Sequence, residues 1–270
     1  MDLICLNGRF FPSGQALLTL QNRSFKYGDG LFETMKVHNG VILLGGLHFE
    51  RLFSGMNLLK LNKESVTEVD KLQREILELC NKNNCTELAR VRLAVYRSEP
   101  NTEYAIEAIP LSIESNVLNK EGYRIDIFPD ARKSQDAFSN LKSANYLPYV
   151  MADIYARENT LDESLLLNVS NHICDASKAN IFLIKKKEIY TPALHQGCVA
   201  GVMRRFLIDE MKRFDYLVHQ TEIDDSDLLE ADEIFLTNAI YGIRWVKQFR
   251  EKIYSNSITK EIYNRVYASV

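Results

Sequence analysis

Lys142 opens a segment of small and apolar residues, Leu141-Lys-Ser-Ala-Asn-Tyr-Leu-Pro-Tyr149. Desolvation drives an amine toward its neutral, nucleophilic form, and that is what a Schiff-base lysine needs. The residues after Lys142 read as the start of a helix, which places Tyr146 one turn on, with its phenol near the same point. A lysine beside a helix start is more often a solvated surface residue. A buried core tyrosine is likewise the commoner case.

Three other clusters carry chemical potential. Gly197 to Arg205 delivers a small-residue loop onto a helix N-terminus, where exposed N–H groups and the helix dipole favour an anion. It is neither a Walker loop nor a dinucleotide fingerprint, and the same loop serves equally as a packing turn. Arg51 follows His48 by three residues on an amphipathic pattern and can grip a phosphate with two N–H groups; a surface arginine is its plainer role. Asp175 sits at a strand end, where a carboxylate can meet a buried cation or simply bond its own turn.

Composition excludes several classes. The net charge is −3 over 270 residues, against the basic surface of a dedicated nucleic-acid binder. No apolar run approaches 18 residues, so no membrane-spanning helix is expected. Met1-Asp2-Leu3-Ile4 lacks the basic start of a signal peptide. The five cysteines (Cys5, Cys80, Cys85, Cys174, Cys198) form no CxxC pair, and Cys80 and Cys85 read as part of a polar loop without histidine neighbours. Free thiols in a reducing cytoplasm and no metal are the expectation.

The elements that must position these residues follow from periodicity. Leu3–Leu6, Arg9–Phe11 and Ala16–Leu20 read as strands, with Asn7-Gly8 as a hairpin turn. The glycine-rich Tyr27–Gly30 leads into a strand at Thr34–Val37, and Asn39-Gly40 turns it into Val41–Leu44. Helices are expected from Leu47 and over Ser65–Cys80. Leu88–Tyr96 alternates, with Arg90 and Arg92 on one face and Val91, Leu93 and Val95 on the other. Ala105–Ser115 and Tyr123–Phe128 are further strands. Residues 128–140 turn polar and read as the linker, with division into 1–122 and 123–270.

The second half alternates helix and short strand. Helices are expected at Leu147–Glu158, Gly201–Tyr216 and Ser226–Leu229. Strands are expected at Glu163–Asn168, His172–Cys174, Ile181–Ile184, Glu188–Tyr190, Leu217–Thr221, Ile234–Leu236 and Ile243–Val246. The fold class is α+β: an antiparallel sheet with helices on one side, then a barrel-like second domain.

The order of the clusters is itself a signal. The chain carries Arg23-x-Phe25-x-Tyr27-Gly28-Asp29-Gly30-Leu31-Phe32-Glu33-Thr34, then His48-Phe49-Glu50-Arg51-Leu52, then Lys142-Ser143-x-Asn145-Tyr146-Leu147. Asp175-x4-Asn180-Ile181-Phe182, Thr191-Pro192 with Gly197 and Gly201-Val202-Met203-Arg204, and Ala231-Asp232-Glu233-Ile234-Phe235-Leu236-Thr237-Asn238 complete it. This series, from about Asn7 to Val246, resembles the class IV aminotransferases. These are the fold-type IV pyridoxal-phosphate enzymes, among them branched-chain and D-amino-acid aminotransferases and 4-amino-4-deoxychorismate lyase. The resemblance implies a small α/β sandwich domain, a larger pseudo-barrel domain that carries the cofactor lysine, pyridoxal 5'-phosphate as cofactor, and a homodimer.

It also implies roles. Lys142 matches the Schiff-base lysine that shuttles the Cα proton, and Arg51 the phosphate-binding arginine. Val202 and Met203 match the backbone amides on the phosphate. Asn238 stands near where branched-chain enzymes offer the phosphate a threonine. Tyr146 falls near the tyrosine that bonds the cofactor's phenolic oxygen, and Phe32 where an aromatic side chain walls the substrate pocket. Asp175 stands where the family usually has glutamate on the pyridine nitrogen, one methylene shorter. Arg90, Arg92, Arg97 and Arg132 are all candidate carboxylate clamps, with Arg92 carried forward as a pocket residue.

Three details lean toward the lyase: Asn145 comes three residues after the lysine, Gly201-Val202-Met203-Arg204 resembles Gly-Ile-Met-Arg, and Asn238-Ala239 follows Thr237. The alternative is an amino-acid aminotransferase passing its amino group to a 2-oxo acid.

Overall fold

A computed structural model describes the chain except residues 1, 16–17, 63–65, 67 and 268–270. Two compact units form: Met1–Ser115 with Leu141–Tyr146, and Asn116–Asn140 with Leu147–Val270.

The first unit holds β1 (Leu3–Leu6), β2 (Arg9–Pro12), α1 (Arg23–Tyr27), β3 (Gly30–His38), β4 (Val41–Ile42), α2 (Gly45–Leu58), α3 (Val69–Lys82), β5 (Leu88–Ser98) and β6 (Asn101–Pro110). Its sheet runs β2-β1-β6-β5-β3-β4, and every pairing is antiparallel. Both expected hairpins close on Asn-Gly pairs with positive φ, 50° and 80° at Asn7-Gly8 and 49° and 74° at Asn39-Gly40. The alternation of β5 holds, with Ala89, Val91, Leu93 and Val95 buried. They pack with Leu52 and Met56 of α2 and Ile76 and Leu79 of α3 into one apolar core.

Several boundaries differ from expectation. Ala16 and Leu17 lie outside the described residues, and Leu18–Leu20 are coil and turn rather than strand. Ser65 also lies outside them, and α3 begins at Val69. β6 stops at Pro110, which has no N–H to continue the ladder, and a 3₁₀ turn takes Ile113–Asn116. Cys80 lies in the last turn of α3 and Cys85 just beyond the helix, both buried rather than in a polar loop. Burial pushes the Cys80 thiol up to about 12.

The second unit contains β7 (Tyr123–Lys133), α4 (Leu147–Glu158), β8 (Glu163–Asn168), β9 (Ile173–Ala176), β10 (Asn180–Lys185), β11 (Glu188–Pro192), α5 (Val202–Arg213), β12 (Val218–Thr221), α6 (Asp225–Glu230), β13 (Glu233–Asn238), β14 (Gly242–Phe249), β15 (Lys252–Ile253) and α7 (Ser257–Val266). Its sheet runs β12-β11-β10-β13-β14-β7-β8-β9 with β15 beside β14. The β11–β12, β14–β7 and β7–β8 pairs are parallel and the rest antiparallel. The sheet curls, so that β9 at its end comes back beside β10, where Asn180 Nδ2 donates to Asp175 Oδ1 at 2.7 Å.

The expected linker over 128–140 is strand for half its length. β7 continues to Lys133, and a register shift between Ile127 and Arg132 absorbs Pro129. Helix α7 has no counterpart among the expected elements, although Thr259, Ile262 and Val266 give it a buried stripe.

Candidate active site

In the first unit, Lys142 is not at a helix start. Residues 141–146 are irregular chain laid beside β3, where Phe32 N–H donates to Lys142 O and Ala144 N–H to Gly30 O, both at 2.9 Å. Leu31 and Ser143 form an antiparallel bridge. These bonds explain why the lysine groups with the N-terminal unit and not with 123–270. Gly28, at φ 65°, lets the turn approach: a Cβ there would stand 3.2 Å from the Asn145 backbone.

The Lys142 ammonium stands 4.5 Å from the Phe32 ring centroid and 5.4 Å from that of Tyr146. The two rings meet edge to face at 5.3 Å. Tyr146 therefore stands beside Lys142 through an aromatic corner and not through a helical turn. Arg92 lies 4.0 Å over the same Phe32 ring, and burial pushes its guanidinium below the ordinary range. The other candidate clamps separate cleanly. Arg97 is spent on Asp29 and on the Leu59 and Lys60 carbonyls, and Arg132 on Asn171 and its own turn. Arg90 lines the same shallow cleft as Arg92. Arg92 is the arginine that shares a ring with the lysine.

Arg51 is also in this unit, and it pairs with a carboxylate. Its Nε donates to Glu33 Oε1 at 2.8 Å and its Nη2 to Oε2 at 2.5 Å. His48 Nδ1 lies 2.6 Å from the same Oε2. Burial by itself would raise Glu33, but the Arg51 charge and the bonds from His48 and Arg51 outweigh it and hold the carboxyl at about 2. Burial pushes His48 below the usual imidazole range, so its neutral Nδ1–H is the donor. Its Nε2 then finds no partner among the described residues.

In the second unit, Asp175 is 1% exposed and accepts from four donors. Lys133 Nζ at 3.2 Å, Tyr149 Oη at 2.7 Å and the Val199 N–H at 2.8 Å meet Oδ2, and Asn180 Nδ2 meets Oδ1. A carboxylate has about four lone-pair sites, two on each oxygen, so Oδ1 keeps room for one more donor. This is the polar environment that a ring-nitrogen N–H fits. Lys133, Tyr149 and Asn180 were not singled out from sequence; Tyr149 and Asn180 lie inside the quoted motifs, and only the fold brings Lys133 to them.

The anion site expected at α5 has the right local features. Its N-cap is Gly201, which offers no side-chain cap, so the first amides lack that partner. Val202 and Met203 are 4% and 2% exposed, and buried orphan N–H groups at a helix start fit a phosphate. A Cβ at Gly201 would lie 1.9 Å from Asn180 Oδ1; only glycine fits. Asn238 behaves differently from the expectation. Its Oδ1 accepts from Ile240 N and Tyr241 N and its Nδ2 donates to Lys178 O, so its polar atoms hold the β13–β14 turn. No group of three or more potential metal ligands occurs among the described residues.

A family model described as amino-transferase class IV matches residues 30–249. A putative branched-chain-amino-acid aminotransferase of Methanocaldococcus jannaschii is 28% identical over 97% of this chain and 93% of its own length. An aminodeoxychorismate lyase of Bacillus subtilis is 28% identical over 89% of this chain and 84% of its own. Among solved structures, a branched-chain aminotransferase from Thermoproteus uzoniensis superimposes with a TM-score of 0.87 at 23% identity, covering 98% of this chain and 93% of that one, a likeness of fold. The chain belongs to the class IV aminotransferase family.

Proposed function

We propose that this protein is a pyridoxal-phosphate enzyme that removes the Cα proton of a small amino-acid-like substrate, and that its reaction is that of 4-amino-4-deoxychorismate lyase. When bound, pyridoxal phosphate supplies an electron sink for charge developing at Cα. Lys142 Nζ would hold the cofactor and would take up the proton that leaves the substrate's Cα. Asp175 would hold the proton of the pyridine nitrogen, and Lys133, Tyr149 and Asn180 keep that carboxylate in place. The Val202 and Met203 amides and Arg51 bind the phosphate. Tyr146 hydrogen-bonds the phenolic oxygen. Arg92 binds a substrate carboxylate beside Phe32, and the Phe32 and Tyr146 rings keep water from the lysine.

The observation that carries the reading is the Lys142 ammonium held in the Phe32–Tyr146 corner with Arg92 over the same ring. The choice of lyase rests on Lys142-Ser-Ala-Asn145, Gly201-Val202-Met203-Arg204 and Asn238-Ala239. The second reading, a branched-chain or D-amino-acid aminotransferase, is favoured by the Methanocaldococcus relative, which matches more of the chain than the Bacillus lyase. Product analysis separates the two. Incubation with aminodeoxychorismate is expected to give pyruvate and 4-aminobenzoate with no 2-oxo acid present. Turnover only when an amino donor and a 2-oxo acid are both supplied would reject the lyase.

A further inference from the structure

Glu33 is a carboxylate in the middle of an apolar face. Leu31, Met35 and Val37, its neighbours on that side of β3, are all in the core cluster, and Glu33 itself is 2% exposed. A charge in such a place is a net cost to the fold unless it is paired, and an apolar residue of similar size generally packs there at least as well. Its partners include His48 and Arg51, three residues apart on α2. Arg51 meets it side-on, through Nε and Nη2. That geometry fixes the plane of the guanidinium as well as its position.

We infer that Glu33 is a positioning residue for the cofactor phosphate, locking Arg51 in its binding orientation before the phosphate arrives; this rests on the reading of Arg51 as a phosphate ligand. An arginine on a helix surface loses much rotamer freedom when it grips a ligand. Two bonds to Glu33 remove that loss in advance, which is preorganisation in the ordinary sense. The Glu33 bonds use two of the five guanidinium N–H donors. His48 completes the clamp. Its neutral Nδ1–H donates to Oε2, the oxygen that also receives Arg51 Nη2, and so keeps the carboxylate from turning about its own axis.

The test compares pyridoxal 5'-phosphate with pyridoxal, which lacks the phosphate, as titrants of the cofactor-stripped full chain, read by the visible absorbance of the lysine adduct. Glu33→Gln is expected to weaken pyridoxal phosphate binding about tenfold or more while pyridoxal binding stays within about twofold. Arg51→Met is expected to do the same, and the double variant to be no weaker than Arg51→Met alone. Should Glu33→Gln be insoluble, Glu33→Asp, which withdraws the carboxylate by one methylene, is expected to show the same selective loss. Equal loss of both ligands, no loss of either, or tighter pyridoxal phosphate binding overturns the positioning role. If Arg51→Met itself leaves the preference for the phosphorylated ligand intact, the phosphate role of Arg51 falls, and this inference with it. If wild-type protein takes up neither ligand, the cofactor assignment fails.

Discussion

In the proposed reaction, Lys142 and Asp175 divide the chemistry between an amine and a carboxylate. The lysine stands against two aromatic rings, whereas Asp175 is fixed by four donors. Lys142→Ala is expected to abolish turnover and to leave a protein on which borohydride fixes no chromophore; wild type should be yellow and should retain its colour on the lysine after reduction. Asp175→Asn is expected to lower kcat by about a hundredfold, the scale of losing one preorganised electrostatic partner, with a smaller change in cofactor affinity. Equal losses in both would argue against the pyridine role. Because that substitution also leaves Lys133 buried without its carboxylate, a melting curve should accompany it.

At the scale of elements, helix α5 carries the sharpest steric requirement. Its N-cap glycine sits against Asn180, which in turn bonds Asp175. Gly201→Ala is expected to push Asn180 aside, loosen Asp175 and crowd the Val202 and Met203 amides. Pyridoxal phosphate affinity should fall by about tenfold or more, measured by the same absorbance titration; an alanine variant with unchanged affinity would show that the loop serves packing alone. Helix α7 shows why some elements escape sequence reading. Its first amides are capped by Glu233 of β13, whose Oε1 accepts from Ile258 N and Oε2 from Thr259 N at 2.9 and 2.8 Å. No local capping residue announces the helix, since Asn256 makes no side-chain cap bond. The cap lies some 25 residues upstream, beyond the reach of any local pattern.

For the molecule as a whole, stability against pH turns on carboxyls buried in opposite circumstances. Burial raises Glu163 to about 7 despite the hydrogen bond from Ser177. A carboxyl whose folded pKa is raised favours the fold while protonated. Its contribution is full below the unfolded value near 4.5 and is lost as pH rises through 7. The gap corresponds to about 3 kcal/mol. Glu163→Gln, which keeps the neutral form, is expected to raise the melting temperature at pH 8 and to leave it nearly unchanged at pH 4. Equal melting of variant and wild type at pH 8 would remove Glu163 from the account.

Much of this protein is written locally. Asn7-Gly8 and Asn39-Gly40 dictate their hairpins because both residues must take positive φ, and the alternation of β5 dictates which face is core. The order of Lys142, Asp175 and Gly201 through Met203 singles out the candidates for chemistry before any fold is known. What local pattern does not contain is who stands opposite whom. Glu33 reads as one more strand residue until α2 lays His48 and Arg51 over it. Lys133 reads as linker until the β7–β8–β9 arrangement carries it to Asp175. Arg92 is one of four equivalent arginines until strand register sets it over Phe32. A periodic backbone makes face and turn legible over a few residues, but partners of buried charges are chosen by long-range packing, and only the tertiary structure decides them.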